Sequence, residues 1–111
     1  MKTASRTLVK SPPELWEMLD QPERMEGLMS ALVGYATEIQ IAEREPGERL
    51  VWESHSHLDP ARIEVEIVES GWGTQIEVSA ECASPQRLAG WLDAVMEELA
   101  TPEKRPFDGI V

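Results

Sequence analysis

Four segments in the middle of the chain alternate between apolar and polar residues with a period of two. This period is typical of β-strands, in which successive side chains point to opposite faces. The connections are short, and Pro46-Gly47 is a pair suited to a type II turn. We therefore predict a four-strand antiparallel meander with one apolar and one charged face. The segments are residues 35–43, 49–57, 62–69 and 74–82.

Helical patterns lie on both sides of this meander. Ser11 followed by Glu14 is typical of a capping box, so a first helix begins here. A second helix begins near Pro22, where the same kind of start pattern is repeated. Ser84-Pro85 opens a last helix that ends before Pro102. Its apolar positions form one continuous stripe: Leu88, Trp91, Leu92, Val95, Met96 and Leu99.

Residues 3–10 add a short first strand, so five strands are predicted in all. The apolar sheet face and the stripe of the last helix bury each other most simply when the helix lies across the sheet. A chain of 111 residues is long enough for one domain with its own core. We predict a single α+β domain over residues 1–111, in which residues 103–111 form a loose tail.

The net charge of −11 is unevenly distributed. Residues 1–10 carry three basic residues and no acid, a local charge of +3, which leaves −14 for the rest of the chain. An acidic body repels phosphate groups and anionic lipids, so neither nucleic acid nor a membrane surface is an expected partner. We interpret the charge as a contribution to solubility, with a cationic partner as the alternative.

The single cysteine, Cys82, excludes a disulfide within the chain and is typical of a reducing compartment. We interpret it as a small core residue rather than a nucleophile. The sequence contains no apolar run of the roughly 20 residues needed to span a bilayer. The charged N-terminus is not followed by the apolar region of a signal peptide. A cytoplasmic location is expected.

Three stretches resemble, in this order, parts of one known superfamily. Residues 11–20 (SPPELWEMLD) are similar to its first helix, residues 45–53 (EPGERLVWE) to the start of a middle strand, and residues 71–78 (GWGTQIEV) to its penultimate turn. This is the START-like (SRPBCC) superfamily of helix-grip folds, which includes Bet v 1 allergens, polyketide cyclases and dehydrases, and Hsp90-ATPase-activator-like proteins. The likeness covers most of residues 5–100 and implies a shortened member.

The resemblance implies seven strands, two more than the pattern predicts. The missing hairpin would precede residues 35–43, where in the family it builds one wall of a deep cavity under the long helix. Its loss implies a cavity that is shallower, open at one side, or filled by Trp52, Trp91 and the methionines. It also leaves residues 35–43 as a sheet edge without Lys or Pro to discourage pairing. We therefore predict a homodimer through this edge.

The first functional hypothesis is a module that binds a small hydrophobic or aromatic molecule between the sheet and the last helix. Trp52 and Trp91 are expected to point into this space, with core packing as their alternative role. The hydroxyl of Tyr35 or Ser54 would orient the ligand. Methionines would give the pocket an adaptable wall: Met18, Met25, Met29 and Met96. The predicted ligand-binding residues are Met29, Tyr35, Trp52, Ser54, Val65, Trp91 and Val95.

Two other functions stay open. The resemblance also implies a cyclase- or dehydrase-like enzyme, which would need a titratable group in the cavity, and Tyr35 is the only candidate expected to point inward. An interaction protein, similar to the Hsp90-activator-like members, would use the acidic sheet face or the bare edge. The sequence contains no Ser-His-Asp order, phosphate loop or dinucleotide motif, so we predict no catalytic residue and no cofactor.

Two groups of polar residues are interpreted as exposed. His55 and His57 share one strand face and, with Asp59 or Glu66, have a spacing compatible with metal binding. That face is the charged one, so we predict no metal site. Four glutamates alternate with core residues in the same way, and we interpret them as solvated rather than catalytic: Glu64, Glu66, Glu77 and Glu81.

Overall fold

The computed structural model describes residues 1–54, 60–71 and 73–100. It confirms the predicted α+β class and the order of the elements. The predicted tail lies outside the described residues. The strands are β1 (Lys2–Leu8), β2 (Ile39–Glu45), β3 (Arg49–Ser54), β4 (Arg62–Ser70) and β5 (Gly73–Glu81), and the helices are α1 (Pro12–Leu19), α2 (Pro22–Val33) and α3 (Leu88–Ala100), with a 3-10 turn at Pro85–Arg87 before α3.

The five strands form one antiparallel sheet in the order β1-β5-β4-β3-β2. Strands β2 to β5 are the predicted meander, and β1 pairs with β5 from Lys2 opposite Ala80 to Leu8 opposite Thr74. In the described part of the chain, β1 and β2 are therefore the two sheet edges.

The core lies between one sheet face, here called the inner face, and the three helices. Because side chains alternate along a strand, β3, β4 and β5 bury every second residue on this face. Helix α3 contacts β1 and β5, whereas α2 contacts β2 and α1 contacts β4. The long helix thus covers one half of the sheet and the short helices cover the other. The buried strand residues include Leu50, Trp52, Ile63, Val65, Ile67, Ile76, Val78 and Ala80.

Two of the predicted helix ends are confirmed, and the last helical segment begins at Pro85 as predicted but lacks a side-chain cap. Ser11 Oγ accepts from the backbone N–H of Glu14 at 3.4 Å, as a capping residue does. Helix α2 ends at Gly34, whose φ of +89° is the left-handed geometry that favours glycine. The side chain of Ser84 does not cap the last helix. Its φ of −112° and ψ of 81° differ from the extended cap geometry, and a 3-10 turn precedes α3 instead.

Strand β2 differs most from its predicted form. It begins at Ile39 rather than at residue 35, because the chain turns at Gly34 and residues 35–38 connect α2 to the sheet. A β-bulge at Ala42 then places Glu43 opposite Val51, so the alternation changes phase within the strand. The turn that follows has the predicted type II features, since Gly47 has a φ of +77°.

Candidate functional site

Five of the predicted ligand-binding residues lie together in the core. They come from α2, β3, β4 and α3, and all five are buried in one hydrophobic cluster. The inner face and the helices are therefore packed against each other through these side chains. The five residues are Met29, Trp52, Val65, Trp91 and Val95.

The other two predicted residues lie elsewhere. Tyr35 is 45% exposed, so the prediction that it points inward is wrong. It lies between α2 and β2, before the strand whose alternation would have turned it inward. Ser54 Oγ accepts from the backbone N–H of Ala61 at 3.0 Å. The Ser54 backbone N–H donates to the Ala61 oxygen at 3.0 Å, so Ser54 holds the ends of the β3–β4 connection together.

The two buried tryptophans differ in whether the indole N–H group has a hydrogen-bond partner. Trp91 Nε1 donates to the backbone oxygen of Leu28 at 2.9 Å. Trp52 is only 3% exposed, and its Nε1 is the one buried side-chain nitrogen or oxygen of the described residues without a hydrogen-bond partner. A buried donor without an acceptor costs about 1–3 kcal/mol. The inner face therefore offers one unused donor.

The inner face is open at the β2 edge. Ile41 of β2 lies opposite Trp52 of β3 and is 47% exposed. Ile39, two residues before it, lies opposite Ser54 and packs partly against the core. Opposed residues of an antiparallel pair point to the same face. Ile41 and Trp52 therefore form an apolar strip from solvent into the core, as expected for a sheet open at one side.

The core contains adaptable apolar side chains and no buried acid or base among the described residues. Four buried methionines come from all three helices, and methionine fills irregular spaces with little rotamer preference. The buried polar residues of the described ranges are Thr74 and Ser79. Thr74 Oγ1 donates to the Lys10 oxygen at 2.6 Å, and Ser79 Oγ shares a hydrogen bond of 2.8 Å with Thr3 Oγ1. The methionines are Met18, Met25, Met29 and Met96.

The opposite sheet face, here called the outer face, carries the four glutamates interpreted as solvated. Glu66, Glu77 and Glu81 are exposed there, and Glu64 is half-buried in an ion-pair network. Arg49 lies 3.1 Å from Glu43 and 3.5 Å from Glu64, and it also pairs with Glu66. These neighbours, Glu43 first, raise the pKa of Arg49.

A buried valine lies on this charged face, which the strand pattern alone did not indicate. Val51 lies opposite Glu43 on β2 and Glu64 on β4 and is fully buried. Arg49 pairs with both of these glutamates. The ion-pair network therefore covers an apolar side chain.

A second cluster, which the sequence did not predict, joins α1 to β2. Arg44 donates from Nε and Nη2 to the carboxylate of Asp20, at 3.1 and 2.7 Å. The guanidinium also lies 5.5 Å from the ring centroid of Trp16, a cation–π distance. The hydrogen bond from Arg44 holds the pKa of Asp20 below its ordinary value. No local sequence pattern indicates this cluster, because its members are brought together by the β2 bulge.

Two open depressions are lined mostly by residues outside the core cluster. One of about 510 Å³ adjoins Gly47 and Arg49, and one of about 260 Å³ adjoins Ala61 and Cys82. Neither is lined by the five core residues predicted to bind a ligand.

Further predictions concern metal binding and the membrane. His55, His57 and Asp59 lie outside the described residues, as does Trp72. Within the described ranges no group of His, Cys, Asp and Glu side chains is arranged to hold a metal ion. No described helix is long and apolar enough to cross a membrane.

Solved structures of low sequence identity share this architecture. A protein from Deinococcus radiodurans has a TM-score of 0.63 at 20% identity, over 86% of this chain and 93% of that one. The Aha1 dimer from Colwellia psychrerythraea has a TM-score of 0.62 at 9% sequence identity, and the match covers 92% of this chain and 97% of that one. CalU16 from Micromonospora echinospora has a TM-score of 0.58 at 18% sequence identity, and the match covers 90% of this chain and 75% of that one. This chain has the helix-grip fold of START-like proteins. No family model and no curated protein matches the sequence.

The helix-grip fold also accounts for the three stretches that carried the resemblance. Residues 11–20 form α1 with its caps, and residues 45–53 form the turn into β3 and most of that strand. Residues 73–78 of the third stretch belong to β5. In this chain the segment between α2 and β2 is residues 34–38. That length is too short for a hairpin of two strands.

Proposed function

We propose that this protein binds a small, largely apolar molecule on the inner face, reached from the β2 edge. The observation that carries this proposal is the apolar strip formed by Ile41 and Trp52, which runs from solvent into the core. Removing apolar ligand surface from water there contributes roughly 25 cal/mol for each Å² buried. The shared fold with START-like proteins is consistent with this role.

Room for a ligand would come from movement of methionine side chains. Met25 and Met29 lie on α2, the helix that contacts β2 beside the open edge. Their unbranched side chains change rotamer at low cost. A ligand that enters past Ile41 therefore meets the most adaptable part of the core first. Since no acid or base is buried in the described core, we propose binding and no reaction.

Native mass spectrometry tests this function directly. Protein purified from its source organism is expected to show a mass excess that disappears in a denaturing spectrum of the same sample. For protein made without its ligand, acetylnaphthalene is a suitable apolar probe, and titration calorimetry gives its affinity.

A matched pair of variants locates the site. Ile41→Glu places a charge on the path of the apolar probe and is expected to weaken its binding about tenfold or more, because burying a charge is costly. Val68→Glu makes the same kind of change at a residue of similar exposure (56%) on the outer face and is expected to bind as the wild type does. Equal binding by both variants would exclude the β2 edge as the entrance.

We propose in addition that the β2 edge pairs weakly with a second copy of the chain. Residues 39–41 form a regular edge segment with an exposed Ile41, and the similar Aha1 protein is described as a dimer. The bulge at Ala42 and the charges of residues 43–45 discourage further pairing.

Light scattering over a range of concentrations tests the dimer. The wild-type mass is expected to rise with concentration from that of one chain toward that of two, and Val68→Glu is expected to behave in the same way. Ile41→Glu is expected to stay monomeric. A wild-type mass of one chain at all concentrations in the micromolar range would disprove the dimer and leave the ligand proposal intact.

A further inference from the structure

The unsatisfied indole of Trp52 restricts what kind of molecule the inner face can hold. Its Nε1 is buried without an acceptor among the described residues, whereas the Nε1 of Trp91 has the Leu28 oxygen at 2.9 Å. An indole nitrogen only donates, and it makes one hydrogen bond. A purely hydrocarbon ligand would leave this cost in place, whereas a ligand oxygen in reach of Nε1 would remove it.

We infer that the bound molecule is an uncharged, largely apolar compound with a hydrogen-bond acceptor, such as a ketone, ester or ether oxygen, which accepts from Trp52 Nε1. This inference rests on the proposed function and specifies its ligand class. The residue that carries this donor lies one strand in from the β2 edge, since Trp52 of β3 is the cross-strand neighbour of Ile41.

The core selects against a charged acceptor. A carboxylate at this place would receive one neutral donor and no cation, because the described buried residues include no Lys, Arg or His. The other described buried polar residues, Thr74 and Ser79, already have hydrogen bonds with Lys10 and Thr3. Burying a charge with so little compensation is strongly unfavourable.

Three probes of one shape test the inference. Acetylnaphthalene carries a ketone, isopropenylnaphthalene replaces its oxygen with a CH₂ group, and naphthoate carries a charge. Calorimetric titration of the wild type is expected to show the ketone binding about five- to tenfold more tightly than the alkene. Naphthoate is expected to bind more weakly than both.

The variant Trp52→Phe keeps an aromatic ring and removes the donor. It is expected to bind the ketone and the alkene with equal affinity, whereas Trp16→Phe on α1 is expected to keep the preference. In the wild type, the assigned indole N–H resonance of Trp52 is expected to shift with the ketone and to change little with the alkene. This NMR measurement does not depend on whether Trp52→Phe folds.

The outcomes separate the two proposals. If the ketone and the alkene bind the wild type equally well and the Trp52 resonance responds to both alike, the acceptor inference is wrong and the apolar binding function stands. If none of the three probes binds, both proposals are contradicted. A ketone preference that survives in Trp52→Phe would assign the donor to another residue and overturn the inference.

Discussion

The indole nitrogen of Trp91 lies 2.9 Å from the backbone oxygen of Leu28, so a hydrogen bond joins α3 to α2. Helix α3 covers β1 and β5, whereas α2 covers β2 at the open edge. The bond therefore connects the helices over the two halves of the sheet. It also satisfies an indole that would otherwise be buried with an unused donor.

Replacing Trp91 with Phe is expected to lower the free energy of unfolding by about 1–2 kcal/mol, because the hydrogen bond is lost and the smaller ring fills less of the core. Urea denaturation followed by circular dichroism measures this change. Met96→Leu on the same helix is the control, since it conserves volume at a buried residue without this bond. A Trp91→Phe protein as stable as Met96→Leu would show that the bond contributes little.

The stability of the protein is expected to depend on the ionisation of Asp20. Arg44 lowers the pKa of this carboxyl in the folded state. A carboxyl with a lowered folded pKa stabilises the fold above its unfolded pKa, about 3.9, and loses that contribution as the pH falls through the folded value. Asp20→Asn should thus be less stable than the wild type near neutral pH, and the difference should shrink in acid.

Denaturation of both proteins across this pH range measures the effect. Glu17→Gln removes the same charge from an exposed residue of the same helix and is the matched control. In acid, the difference in unfolding free energy between Glu17→Gln and the wild type should change less than the difference between Asp20→Asn and the wild type. A constant difference between Asp20→Asn and the wild type at every pH would contradict an electrostatic role for the pair.

The outer-face network is expected to stabilise the sheet in a way that salt weakens. Arg49→Met leaves Glu43, Glu64 and Glu66 without this shared cation. Their repulsion should destabilise the variant most at low ionic strength and less near 1 M salt, where the screening length is about 3 Å. Thermal melts in both conditions measure this. Arg6→Met, which removes one exposed pair with Glu97, should show a much smaller change.

Local patterns in the sequence predicted those parts of the fold that depend on neighbouring residues. Alternation correctly placed Val65 and Ile76 in the core, and Ser11 caps its helix as predicted. The position of five candidate site residues followed from the same periodicities. Tyr35 was misplaced because the alternation was extended across the turn at Gly34, where no strand exists.

Features that depend on distant partners were not predictable in this way. The bulge at Ala42 arises from pairing with β3 and moves Arg44 to the face where it reaches Asp20. The sequence predicted that the ring of Trp52 lies in the core, but not that its N–H group lacks a hydrogen-bond partner. Whether a partner is present depends on the acceptors packed around the ring, and only the three-dimensional structure defines these.

Two glycines are expected to respond in opposite directions to replacement by alanine. Gly27 lies exposed within α2, and a Cβ atom there would meet nothing within 4 Å. Gly27→Ala should therefore stabilise the protein by about 1 kcal/mol, through helix propensity alone. Gly73 begins β5 beside the end of β1, and a Cβ atom there would collide with the backbone oxygen of Leu8.

Because that oxygen belongs to backbone, it cannot move aside as a flexible side chain can. Gly73→Ala is expected to cost about 1–3 kcal/mol, similar to other overpacked sites. Chemical denaturation of the two variants beside the wild type measures both changes. If the Gly73→Ala protein is as stable as the Gly27→Ala protein, β1 can shift along β5 without a loss of stability. The close packing of these two strands would then contribute little to stability.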